Sequence, residues 1–294
     1  MHEHSHHESS RKHLLIALAI TFAFFFVEFA GGFMTNSLAL LADAGHMLND
    51  TLALVFAIVA SWIASRPNDV KKTFGYYRAE ILAAFVNGIF LWAIVALIFY
   101  DAVQRLMNPV AVASSEMLVI AIVGLAANGA SAYVLSRSKS ESLNVRGAFL
   151  HVVSDTLGSV GVIAAGLIIL FTGWYQADPL FSMLVGVLIF IGAFNLVRES
   201  VNVLLEGVPH GIDVAEVEKR ILGQKGVRGV HDLHVWCITP SRICALSCHI
   251  VAEEQLDRKK LTSDLITMLD KEFGIDHTTI QIEDENYPKA NSEH

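Results

Sequence analysis

The chain has 294 residues, 53% hydrophobic and only 17% charged, with a formal net charge of −8 and a mean hydropathy of +0.50. A soluble domain carries about 25% charged residues, so a wholly soluble chain is excluded and much of this one is expected to lie in a membrane. The acidic balance argues against nucleic acid as a partner. Three cysteines, all in the C-terminal quarter, provide no disulfide framework and fit a reducing, cytosolic setting.

Residues 1–13 form a polar, His-rich tail. His2-Glu3-His4-Ser5-His6 matches the HExxH pattern in form, but that motif works only on a helix facing a cleft, and a leader tail is no such context. The tail either holds metal on the cytosolic side or has no specific role. No cleavable signal peptide is expected, because the first apolar run is too long for a signal core.

Six runs approach the ~20 apolar residues that a hydrocarbon core requires. They are Leu14–Met34, Leu38–Ser65, Ile81–Tyr100, Met117–Leu135, Ala148–Phe171 and Pro179–Val197. Residues 1–206 hold 11 lysines and arginines, and of these only Arg105 falls in a connection on the far side. The positive-inside rule therefore places both termini in the cytosol.

Two of the runs carry ionisable pairs, His46-x-x-x-Asp50 in the second and His151-x-x-x-Asp155 in the fifth. A spacing of four sets both side chains of a pair on one helix face. Spans two and five differ in parity and so run antiparallel. Both pairs lie a third to a half of the way along, so they can meet near mid-membrane. Two imidazoles and two carboxylates make a tetrahedral set suited to Zn²⁺, and borderline N/O ligation favours Zn²⁺, Cd²⁺ or Co²⁺ over Mg²⁺ and Ca²⁺.

Each ionisable group at that depth costs about 2.5–3.5 kcal/mol on insertion scales. A divalent cation with two carboxylates is formally neutral, and an empty site takes up protons instead, so metal and proton compete. Histidine titrates in the physiological range and suits such an exchange. The competing reading is polar glue between helices, although glue usually employs Ser, Thr or Asn. Glu28, Asp43, Asn87 and Asn128 are the other polar residues at depth. They either line a vestibule or pack, and Asp43 shares roughly the face of His46.

After Glu206-Gly207-Val208-Pro209 the composition changes, and residues 207–294 hold 10 basic and 15 acidic residues. A helix near Asp213–Leu222, strands at Gly229–Ile238 and Ile243–Val251, a helix at Leu256–Phe273 and a strand at Thr278–Glu283 are expected. That order suggests a small open sheet with helices on one face. Strand alternation puts Cys244, Leu246, Cys248 and Ile250 on a core face, with both cysteines read as buried apolar residues. His249, His277 and Glu283 point the other way and converge if their strands are neighbours. The alternative is a polar outer face or subunit interface.

The sequence resembles the cation diffusion facilitators, zinc-exporting metal/proton antiporters. The likeness is carried by Ser37-Leu38-Ala39-Leu40-Leu41-Ala42-Asp43-Ala44-Gly45-His46-Met47 with Asp50, Phe74-Gly75-Tyr76-Tyr77-Arg78-Ala79-Glu80, His151 with Asp155, and His231-Asp232-Leu233-His234-Val235-Trp236. The resemblance implies a homodimer of α-helical membrane subunits. Each has a tail (1–13), six transmembrane helices (14–206) and a small cytosolic α+β, ferredoxin-like C-terminal domain (207–294).

It implies Zn²⁺ as transported substrate at His46, Asp50, His151 and Asp155, protons as the exchanged ion, and membrane lipid as surroundings in a bacterial inner membrane. It adds His231 to His249, His277 and Glu283 as a regulatory zinc site. It also pairs Arg78 with Glu206. Asp69, between spans two and three, stands without a histidine, so no further metal site is expected there, and Ser136–Asn144 lacks the His-rich loop of many relatives.

Two other classes are weighed. A membrane-bound metal sensor would bind without flux, and no signalling segment supports it. An intramembrane metalloprotease would need a glutamate beside the histidines, which His46 and His151 lack.

Overall fold

The computed structural model describes residues 3–136, 143–239 and 243–284, with positions 3–15, 17, 18, 143–151 and 154 described by backbone alone. Six long helices come first: α1 (Glu3–Thr35), α2 (Leu38–Ala64), α3 (Arg78–Met107), α4 (Ser114–Ser136), α5 (Leu143–Thr172) and α6 (Ala177–Leu204). Each contains one of the expected apolar runs to within a residue. Among the described residues, five helical stretches are long and apolar enough to cross a membrane, all of them in α2–α6. In α1 the apolar stretch Ala19–Thr35 is shorter.

The chain divides into two compact units, Met1–Val55 with Val86–Asn195, and Phe56–Phe85 with Leu196–His294. In the first, α4 packs against both α5 and α1. Small residues permit the approach: a Cβ on Gly124 would lie 2.5 Å from the Phe24 ring of α1, and one on Gly166 would lie 2.9 Å from Leu118. Interfaces of this kind suit helices in lipid, where close backbone approach replaces the hydrophobic drive. One apolar cluster, with Leu40, Met117, Ala121, Val162 and Ala165, ties α2, α4 and α5 together; another joins Phe24 and Phe25 to Ala44 and Met47.

In the second unit, α7 (Val214–Leu222) and α8 (Arg258–Phe273) accompany β1 (Val227–Thr239), β2 (Ile243–Ala252) and β3 (His277–Glu283). The sheet order is β1-β2-β3, with β1 antiparallel and β3 parallel to β2. A parallel neighbour needs a crossover, and α8 supplies it. Asp257 caps α8 by accepting from Lys260 N at 3.1 Å, and Gly274 ends it in a left-handed conformation at φ 65°. Val217 and Ile221 of α7 and Leu261, Leu265 and Leu269 of α8 cover Leu246, Cys248 and Ile250 of β2. Leu246, Cys248 and Ile250 thus lie on the expected core face, whereas Cys244 is only half-buried and Ala245, expected on the other face, is fully buried. The Cys248 thiol is free and buried, and that burial pushes it up to about 11.

The cysteines otherwise depart from expectation. Cys244 is not a free apolar residue but is disulfide-bonded to Cys237. The β1–β2 hairpin sets the two directly opposite one another, a pairing made by strand register and invisible in their spacing.

Candidate metal centres

The first centre lies between α2 and α5. His46 stands two turns into α2, and Asp50 follows one turn later on the same face, with Nε2 to Oδ2 at 3.7 Å. Asp155 of α5 brings Oδ1 to 3.6 Å from the same Nε2. Donor atoms of His46, Asp50 and Asp155 lie within 4.8 Å of one another, close enough to share one ion. Asp155 is 4% exposed, whereas His46 and Asp50 keep 27% each. His151 sits on α5 one turn before Asp155, and its side chain lies outside the described residues.

Glu28, Asp43, Asn87 and Asn128 are all buried. Asn128 of α4 donates to Ser159 Oγ at 3.4 Å, one turn beyond Asp155. Asp43 lies against the backbone of Gly158, where a Cβ would come within 2.9 Å of its Oδ1. The hydroxyls of Thr51 and Thr156, each next to an aspartate of the centre, donate back to carbonyls of their own helices. Among the described residues, the buried polar and charged side chains include no Lys or Arg. A divalent cation or protons would neutralise the carboxylates of the centre.

The second centre is on the outer face of the small sheet. Strand register sets His231 opposite His249. Glu283, at 5% exposure, bridges them, with Oε2 3.0 Å from His231 Nε2 and Oε1 2.9 Å from His249 Nδ1. Gln281 Nε2 donates to Glu283 Oε1 at 2.7 Å and fixes the carboxylate. His277 is not brought here. It pairs with Ala245, whereas His249 pairs with Gln281, which leaves His277 four positions, roughly 13 Å, down the strand. Its ring rests on Phe74 instead, with centroids 5.6 Å apart.

Asp232 takes part although the motif reading passed over it. Its Oδ2 is 3.5 Å from His231 Nδ1 and 3.8 Å from His249 Nδ1. The ladder slips between His231 and His234, and Asp232 adopts φ 49° at that bulge. A bulge breaks strict alternation and re-aims a side chain. The run His231-Asp232-Leu233-His234 carries no local mark of it.

Two sequence expectations concern the α2–α3 connection. Arg78 Nη2 meets Glu206 Oε1 at 3.0 Å on the exposed surface. Asp69 closes its own turn, accepting from Tyr76 Oη and from Lys71 N and Lys72 N at 2.7–2.8 Å. The Tyr76 hydroxyl and then those amides hold the Asp69 carboxyl below its ordinary range.

Residues 14–205 match the model of the cation efflux transmembrane domain, and 209–285 that of the cation efflux protein cytoplasmic domain. The chain belongs to the cation diffusion facilitator family. It is similar to the metal cation efflux system protein CzcD of Cupriavidus metallidurans, with 47% identity over 96% of this chain and 89% of that protein. It is also similar to the cadmium, cobalt and zinc/H(+)-K(+) antiporter of Bacillus subtilis, with 43% identity over 98% and 94% of the two chains. The zinc transporter ZitB of Escherichia coli is 43% identical over 96% and 92%.

A solved structure, the metal-bound C-terminal domain of the CzcD transporter, is 41% identical, covers 24% of this chain and 99% of its own, and superposes at a TM-score of 0.23. The protein is accordingly a multi-pass membrane protein of metal cation efflux, in a family of transporters and not of enzymes.

Proposed function

We propose that this cation diffusion facilitator exports Zn²⁺, with Cd²⁺ and Co²⁺ as further substrates, from the cytosol in exchange for protons, using His46, Asp50, His151 and Asp155 as ligands. The observation that carries this reading is the meeting of α2 and α5 in one group of His46, Asp50 and Asp155 within otherwise apolar helices. Two carboxylates neutralise one divalent ion, and the cost of leaving them bare favours protons when the metal departs. Relatives named for zinc, for cadmium and cobalt, and for proton-coupled antiport support both the ion class and the exchange. Alternating access then consists of α2 and α5 rocking so that one group faces each side in turn.

The same reading sets residues 14–206 in a bacterial inner membrane, with both termini in the cytosol, on the distribution of lysine and arginine. Residues 207–294 form the cytosolic domain and pair two subunits, in keeping with the dimer domain model they match. His231, Asp232, His249 and Glu283 form its regulatory zinc site, and His277 is left aside.

Asp50→Ala and Asp155→Ala are expected to abolish zinc uptake into inside-out vesicles while the purified protein stays monodisperse. Wild-type-like uptake in both variants would remove the shared-ion account.

A further inference from the structure

The amino end of α2, the helix that presents His46 and Asp50, is held by a carboxylate 140 residues away. Asp178, in the first turn of α6, is fully buried. Its Oδ1 accepts from Ser37 Oγ at 2.6 Å and from Ala39 N at 3.1 Å, and its Oδ2 accepts from Leu38 N at 2.7 Å. Ser37 Oγ accepts in turn from Leu40 N at 3.2 Å. The first amides of α2 thus end on one acidic group or on its hydroxyl partner.

Arg105, near the end of α3, completes the arrangement. Its Nη1 stands 4.0 Å from Asp178 Oδ2 and donates to the Asn36 carbonyl at 2.5 Å, while its Nε donates to Asp101 at 2.9 Å. The end of α1 joins through Ala113 N, which donates to the Thr35 carbonyl at 3.0 Å.

Starting a helix needs no such device, because Ser37 alone is a competent cap. What the charged group adds is strength and place. Hydrogen bonds to a buried carboxylate are about twice as strong as neutral ones, and the exposed amides of a helix start favour negative charge. They fasten α2 to α6 at a fixed point. His46 follows Leu38 by eight residues, roughly 12 Å along a rigid helix, so a shift at the fastened end is delivered to the metal-binding turn.

We propose that Asp178 is a positioning residue for transport. By fixing α2 it keeps His46 and Asp50 close enough to Asp155 for the small Zn²⁺ ion to reach all three. The inference rests on the reading that His46, Asp50 and Asp155 hold the cargo. Loosening the anchor widens the group, which penalises Zn²⁺ and leaves the larger Cd²⁺ little affected.

The test is concentration-dependent uptake of Zn²⁺ and of Cd²⁺ by the full-length protein in proteoliposomes, for Asp178→Asn, Ser37→Ala and Asp155→Ala. In Asp178→Asn the KM for Zn²⁺ should rise about fivefold, with the KM for Cd²⁺ and both maximal rates within about twofold. Ser37→Ala removes one donor and leaves both amide bonds, so the Zn²⁺/Cd²⁺ KM ratio should rise about twofold. A merely structural role would lower both maximal rates together and leave that ratio unchanged, and this result in the variants overturns the inference. If Asp178→Asn does not fold, an unchanged ratio in Ser37→Ala overturns it alone. Zn²⁺ transport by Asp155→Ala would instead sink the underlying cargo site, which keeps the two failures apart.

Discussion

Each centre joins imidazole to carboxylates, and the two differ in what surrounds them. Glu283 sits between two imidazoles and an amide donor, so in the cytosolic domain hydrogen bonds occupy its lone pairs without a metal. A zinc ion there would take lone pairs of His231, His249 and Glu283 in place of the contacts these groups make with one another. His249→Ala, in an Asp155→Ala background that removes the membrane site, is expected to lower bound zinc by about one ion per chain in equilibrium dialysis. His277→Ala in the same background should change nothing, because His277 lies near Phe74 and far from the bridge. Equal losses in the two variants would return His277 to the ligand set.

Between elements, the contact that matters for transport is α2 against α5. Asp43 fits because Gly158 offers no side chain. A methyl there would lie 2.9 Å from Asp43 Oδ1, which forces either the carboxylate or the helix to move. Overpacking of this kind costs about 1–3 kcal/mol. Gly161, one turn on, is a natural control, since its Cβ would find its nearest neighbour at an ordinary 3.7 Å. Gly158→Ala is expected to reduce zinc transport by severalfold, whereas Gly161→Ala keeps the wild-type rate and gains up to about 1 kcal/mol from helix propensity. Vesicle uptake alongside thermal unfolding of both variants decides it. Similar rates in the two would mean that the Asp43–Gly158 contact does not shape the centre.

At the scale of the whole molecule, the charge distribution predicts orientation. Ten of the 11 basic residues in 1–206 fall before the first apolar run, between runs two and three, between runs four and five or just after run six, which all belong to one side of an even-numbered bundle. A fluorescent protein fused after His294 should therefore mature and fluoresce in cells, and a periplasm-dependent phosphatase at the same place should stay inactive. The opposite pattern would invert the direction assigned to export. The charge rule assigns the surface pair Arg78–Glu206 and the self-contained Asp69 turn to that same side. There an exposed ion pair contributes at most about 1 kcal/mol and serves to register the α2–α3 connection beside the end of α6.

What could be read without coordinates was whatever repeats with an element's own period. Apolar length marked the helices, the four-residue spacing placed His46 with Asp50, and alternation sorted Leu246, Cys248 and Ile250 from His249. Relations between distant elements were decided only by folding. The slip in the β1 ladder brings in Asp232, β3 register carries His277 away from His249, hairpin pairing joins Cys237 to Cys244, and Asp178 reaches back across 140 residues to the start of α2. The reason is physical: periodicity records which way a side chain leaves its own backbone, while register and packing depend on a partner strand or helix that no local pattern names.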